Sequence, residues 1–255
     1  LGWTPLDIYG DNANIAYPRW IAAVPKEDFD IDSLAVYLHL TPQQVMRLAD
    51  RGKVPGRKVA GQWRFSQAEI HHWLEDRIGL SDEVELAEME TVLERSHAAE
   101  DSVSISQLLH RDAIAIPLEA RTRNSVINAM TRLAAGTGLL WDPEKMAEAV
   151  SERENLHPTA LDNGVALLHP RRPMESILAE PLLALGCTSS GIPFGGSGLN
   201  DIFFLICSTD DRVHLRVLAR LSRLVADGEM LEAIRTATTP EEALDAIVEA
   251  EKRLP

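Results

Sequence analysis

Apolar residues along this chain keep two periods, and the change between them divides it. Over the first third they fall at helical spacing: Leu34, Ala35, Tyr37 and Leu38, then Val45, Met46, Leu48 and Ala49. Asp32 or Ser33 is placed to cap the first of these helices. Thr41 followed by Pro42 reads as the cap and first position of the second, which Gly52 stops. From Pro55 to Phe65 two short strands are predicted, with a tight turn at Ala60-Gly61. Ser66 then caps a third helix that turns Ile70, Trp73 and Leu74 inward.

Later in the chain, short apolar runs of strand character (Ala113–Ile116, Gly164–Leu168, Asp201–Cys207) alternate with helical patterns. These are Thr122–Gly136, Pro143–Asn155, His214–Ala226, Glu229–Thr236 and Pro240–Lys252. That alternation predicts an α/β sheet with helices on its faces over 104–255. On the last helical stretch but two, Leu215, Leu218, Leu221 and Leu224 point inward. Gly195-Gly-Ser-Gly198 lacks the Lys-Ser/Thr ending of a phosphate loop and reads as a hairpin turn.

Two helices, a hairpin and a closing helix make a small winged helix-turn-helix domain of 29–79. Residues 80–103 lack glycine and proline and set Leu86, Met89 and Leu93 on one helical stripe. They read as an acidic linker helix, either a homodimer contact or a solvated spacer. Residues 1–28 show no clean period and stay unassigned.

Charge sharpens this division. The chain carries a formal −14, which argues against nucleic-acid binding by the whole molecule. Yet 29–79 hold seven basic against six acidic residues, while 80–103 hold one against eight. No apolar run approaches the length that spans a bilayer, and no basic-then-apolar leader opens the chain at Leu1. Cys187 and Cys207 lack metal-ligand spacing and read as buried thiols. The cytoplasm is the expected setting, with no membrane partner. His71 and His72 are adjacent and cannot share a helix face, so no metal pair is expected there, nor any cofactor.

Two groups of residues carry chemistry. Arg51, Lys53, Arg57, Lys58 and Arg64 form a basic run without an intervening acid, suited to DNA phosphates. Gln43, Gln44 and Arg47 lie early on the second helix, where side chains can reach base edges. The second group centres on Asn163-Gly-Val-Ala-Leu-Leu-His169-Pro-Arg-Arg172. An apolar strand delivers His169 to its C-terminal end, where Pro170 blocks further pairing and a ring nitrogen is expected to stand open at the lip of a sheet. Near pH 7 a good share of imidazole is neutral and nucleophilic. Arg171 and Arg172 greet an acidic partner or are solvated, and His157 reads as a loop contact.

Both regions resemble known families. Ala35-x-x-Leu-x-Leu-Thr-Pro-x-x-Val-x-x-Leu48, Arg51-Gly-Lys-Val-Pro55, Gly61-x-Trp-Arg-Phe65 and Ile70-x-x-Trp-Leu74 resemble the excisionase/MerR-like winged helix-turn-helix. In that family the second helix enters the major groove and the wing touches the backbone. Arg153-Glu154, Asn163-Gly-Val-Ala-x-x-His169 and His214-Leu-x-x-Leu-Ala-x-Leu221 resemble the enzyme IIA domain of the mannitol/fructose type, especially its nitrogen-regulatory branch. Where that family usually has proline before its active histidine, this chain has Leu168. The resemblance implies a mixed sheet flanked by helices. It implies that His169 accepts a phosphoryl group from the histidine-containing phosphocarrier protein HPr, with His214 near the phosphoryl oxygens and Arg153 as their charge partner. His214 is expected to open its helix and lend the pocket the positive end of the dipole.

The expectation is therefore a phosphotransferase-system regulator that couples phosphorylation of His169 to DNA binding or partner choice. One alternative is a phosphocarrier, in enzyme terms a phosphohistidine phosphotransferase, that serves a IIB component or a regulatory target protein. The other is a DNA- or protein-binding module whose IIA fold is a scaffold only.

Overall fold

The computed structural model describes residues 28–38, 40–67, 69–70, 73–74, 103–196 and 198–254. The unassigned 1–27, the linker 80–102 and the His71-His72 pair lie outside the described residues.

β1 (Asp28–Phe29), α1 (Ile31–Tyr37), α2 (Pro42–Asp50), β2 (Arg57–Val59) and β3 (Gln62–Ser66) form the winged unit. Its antiparallel sheet has the order β1-β3-β2. The cap of α1 is Asp30, not Asp32 or Ser33. Asp30 Oδ1 accepts from Ser33 N at 2.8 Å, and Ser33 Oγ accepts from Asp30 N at 2.9 Å. This reciprocal box satisfies donors at both positions, which a cap further along could not do. Thr41 and Pro42 act as expected, and Gln44 Oε1 closes a second box on Thr41 N at 2.8 Å. Ala60 and Gly61 both take positive φ, 49° and 80°, the geometry that turns a two-residue hairpin. Leu34, Val45, Phe65 and Ile70 fill the small core, with Ile70 on the helical segment that opens at Gln67.

The second unit comprises α3 (Ile105–Leu108), β4 (Leu109–Ala115), α4 (Arg123–Ala135), α5 (Pro143–Leu156) and β5 (Val165–Leu168). After a 3-10 turn come β6 (Leu182–Pro193), β7 (Leu199–Cys207), α6 (Asp211–Leu224), α7 (Gly228–Thr236) and α8 (Pro240–Arg253). Its sheet has the order β4-β6-β7-β5 and is mixed: β4 runs parallel to β6, β6 antiparallel to β7, β7 parallel to β5. β6 does not figure among the expected strands. It begins as an apolar run but continues as Gly-Cys-Thr-Ser-Ser-Gly, a loop-like composition that hides a strand buried over its first seven residues.

Strand side chains alternate between two cores. On β7, Ile202, Phe204 and Ile206 face α6, α7 and α8, while Phe203, Leu205 and Cys207 face α4 and α5. Burial on both faces explains why these strands read as unbroken apolar runs. Gly195, Gly196 and Gly198 lie in the β6–β7 hairpin connection, as expected. Cys187 and Cys207 are buried free thiols, their pKa values pushed up by burial to about 11 and about 12. Among the described residues no helix is long and apolar enough to cross a membrane.

Candidate functional site

Parallel pairing brings the site together. β5 and β7 run side by side from Val165↔Ile202 to Leu168↔Leu205, so their C-terminal ends finish at one sheet edge. Open α/β sheets bind ligands along such an edge. His169 leaves β5 there, and Asp210 leaves β7 to start α6. The two imidazoles, His169 and His214, meet with ring centroids 5.0 Å apart and a 54° tilt.

His169 Nδ1 lies 2.8 Å from the carbonyl oxygen of Leu167. A carbonyl only accepts, so Nδ1 carries the proton and the Nε2 lone pair is the nucleophile in the neutral ring. That anchor is backbone and needs no proline at 168. Leu168 is simply the last rung of the ladder, fully buried. The expectation of an open lip is corrected: His169 is 2% exposed and His214 3%.

The start of α6 also differs from expectation. His214 is its fourth residue, and its N–H already bonds Asp210 O at 3.1 Å. The first-turn amides of Arg212 and Val213 donate to Asp210 Oδ1 at 2.9 and 3.0 Å. A carboxylate therefore occupies the N-terminal donors that the dipole argument offered to a phosphoryl group. What His214 presents to His169 is its ring.

Arg153 sits in the last turn of α5, buried, its Nη1 donating to His157 O at 2.6 Å. His157 itself is exposed at the end of that helix. Next to Arg153, Glu154 is buried completely at its side chain and 3.5 Å from Arg123 Nη2. It accepts from Thr159 N and contacts the Thr159 hydroxyl closely. Burial raises its pKa, while Thr159, Arg123 and His169 oppose the rise. Glu154 thus feels both Arg123 and His169, a neighbourhood that the Arg153-Glu154 motif alone does not disclose. Ser208 has no place in any motif. It follows β7 at the same edge, 1% exposed, its Oγ lacking a hydrogen-bond partner among the described residues. Its one sequence signal is being the first polar residue after an apolar strand.

Asn163-Gly164 lies at the opposite end of β5 from His169. Gly164 has φ +90°, and a Cβ there would meet Arg235 Nη2 at 2.7 Å. Arg235 bonds Asn163 O at 2.8 Å and pairs with Asp201 at 2.9 Å, so this part of the motif is a turn that seats the strand. Arg171 and Arg172 are exposed. No group of three His, Cys, Asp or Glu among the described residues is placed to hold a metal ion.

On the winged unit Gln43, Gln44, Arg47, Arg51, Lys53, Arg57 and Lys58 are exposed, and Arg64 is half-buried. The basic run is less bare than its sequence. Arg57 lies 2.9 Å from Asp28, Lys58 3.8 Å from Asp50 and Arg64 4.0 Å from Asp30. Lys58 also lies over the Trp63 ring, 4.9 Å from its centroid. The acids come from neighbouring elements, which adjacency in sequence could not reveal. Gln44 spends its side-chain carbonyl on the cap, and Arg47 Nε bonds Gln43 O at 3.3 Å.

Sequence comparison identifies the larger unit as a sugar-phosphotransferase IIA domain. The family "Phosphoenolpyruvate-dependent sugar phosphotransferase system, EIIA 2" matches residues 107–250, and this chain belongs to it. A helix-turn-helix domain matches residues 29–78. Among curated proteins, the chain is 29% identical over 151 residues to the 2-O-alpha-mannosyl-D-glycerate-specific EIIABC component of Escherichia coli, covering 57% of this chain and 22% of that protein. The chain thus spans under a quarter of that relative's length. It is 22% identical over 152 residues to the nitrogen regulatory protein of Escherichia coli, covering 59% of this chain and 93% of that one. Nitrogen regulatory protein IIA-Ntr from Neisseria meningitidis shares the fold, with a TM-score of 0.50 at 20% identity over 56% of this chain and 98% of that one.

Proposed function

We propose that this chain is a cytoplasmic regulator in which the IIA domain of 104–255 takes a phosphoryl group from HPr on His169 and the winged domain of 29–79 binds DNA. The observation that carries the reading is the Leu167 carbonyl on His169 Nδ1, which leaves Nε2 to carry the lone pair of the neutral ring, with His214 beside it.

In the reaction that lone pair attacks the phosphorus of the donor's phosphohistidine. The donor's N–P bond breaks as the new one forms, and its electron pair returns to the donor imidazole. Backbone anchoring keeps the His169 ring oriented throughout. His214 and Arg153 supply donors and positive charge to the phosphoryl oxygens, a role the capped start of α6 does not fill.

Mixing phosphorylated HPr with the purified chain, and reading intact mass, tests this. One acid-labile phosphoryl group is expected on the wild type and none on His169→Ala. A wild type still unlabelled after prolonged incubation with excess donor, with that donor active on a control IIA domain, discards the phosphoacceptor and leaves a binding scaffold. A second reading, a carrier that hands the group to a IIB component, draws on the EIIABC relative. Onward transfer from the labelled chain to a IIB domain would favour it.

A further inference from the structure

The winged unit and the IIA unit meet at the first turn of α6. Gln67 Nε2, at the start of the closing helical segment, donates to Asp211 Oδ2 at 2.7 Å. Tyr37, the last residue of α1, faces the same turn. Burial first, then the Asp211 and Asp210 carboxylates, push its hydroxyl pKa up, with Arg212 opposing. The interface has an apolar floor as well: Leu34, Phe65 and Ile70 belong to one continuous buried cluster with Leu215 and Leu218 of α6, and Tyr37 and Val213 pack against it. One helical turn beyond Asp210 stands His214, against His169.

A protein donor must bring its phosphorus within bonding distance of His169 Nε2, yet both histidines are buried. Something has to uncover them. We propose that the first turn of α6 is the docking surface for this chain's own winged domain, and that seating through Gln67 and Tyr37 closes the approach to His169. The functional consequence rests on the phosphoacceptor reading; the docking itself does not. A phosphoryl group on Nε2 brings up to about two negative charges to the ring that meets His214, on the helix whose first turn carries Asp210 and Asp211. The phosphorylated chain therefore releases the winged domain. By linkage, a ligand that binds only the released domain, such as a DNA duplex, favours the open site.

The test treats the whole chain with diethyl pyrocarbonate, which acylates accessible imidazoles, and follows modification of His169 by peptide mass spectrometry. Gln67→Glu sets a carboxylate against Asp211 and is expected to raise the rate about tenfold or more, the scale of one hydrogen bond to a charged group. Gln67→Lys pairs with Asp211 and should leave the rate at or below wild type. Adding Asp211→Lys to Gln67→Glu should restore slow modification. Gln67→Ala serves the same comparison if Gln67→Glu fails to fold. Equal rates across these variants overturn the docking. The readout needs no phosphate, so the two readings fail separately. A Gln67 effect with no labelling of Gln67→Glu by phosphorylated HPr keeps the docking and discards the phosphoacceptor, and labelling without a Gln67 effect does the reverse.

Discussion

Around His169 the candidate site residues are held by packing from both faces of a sheet, whereas on the winged unit the outward residues are held largely by one another's charge. His169, His214, Arg153 and Glu154 are all buried, and their positions follow from strand pairing and helix placement. Arg57, Lys58 and Arg64 reach into solvent and lean on Asp28, Asp50 and Asp30. The difference teaches where sensitivity lies. A buried site responds steeply to volume and to buried charge, while a surface of paired ions responds weakly, additively and through salt.

The largest expected contrast is in packing. Phe203 is fully buried on the α4/α5 face and touches Phe194. Phe203→Ala should lose about 3–5 kcal/mol in urea unfolding. Val59→Ala, half-exposed on the wing, should stay within about 0.5 kcal/mol. Similar losses at the two positions would break the comparison.

A smaller contrast lies in pH. Glu154 has a raised folded-state pKa, chiefly from burial, so its contribution is present below the ordinary Glu value of 4.5 and is lost as pH rises through the folded value. Asp30 is lowered, chiefly by the Ser33 side chain, so its contribution is present above 3.8 and is lost as pH falls. Against wild type, Glu154→Gln should gain ground between pH 4 and 7. Asp30→Asn should instead lose ground as pH rises from 3 to 6. Unfolding midpoints over that range check both, and matching signs would contradict the assignment.

The smallest effects belong to the proposed DNA contacts. Lys53 is exposed and has no carboxylate within 4 Å among the described residues, while Arg57 is already paired. Lys53→Ala should lower the salt slope of duplex binding by about one, and Arg57→Ala by less. Asp28→Asn, which frees Arg57, should tighten binding slightly. Equal slopes for the two cationic substitutions would show that the pairing with Asp28 is immaterial to DNA.

Much of the fold and the site is legible in the chain itself, for reasons that differ by residue. Thr41-Pro42, the Ala60-Gly61 turn and the leucines of α6 are local signals, each decided within a few positions. The meeting of His169 with His214 is legible only through family resemblance, because strand pairing across tens of residues leaves no local mark. β6 escapes because its polar half mimics a loop. The cap at Asp30 and the acids beside the wing escape because neighbouring residues offer equally good local partners. Burial of His169 escapes because a histidine after an apolar run looks the same whether its strand ends in the open or under cover.

The edge position of β5 has a consequence for how the molecule is made. β5 pairs with β7, yet the whole of β6 lies between them in the chain. A ribosome adds roughly 5–20 residues per second, so His169 emerges seconds before the strand that aligns it and the helix that carries His214. During that interval the histidine sits on an unpaired segment, and its ring has neither neighbour nor shelter. A nascent chain stopped short of Asp211 carries His169 without its histidine neighbour.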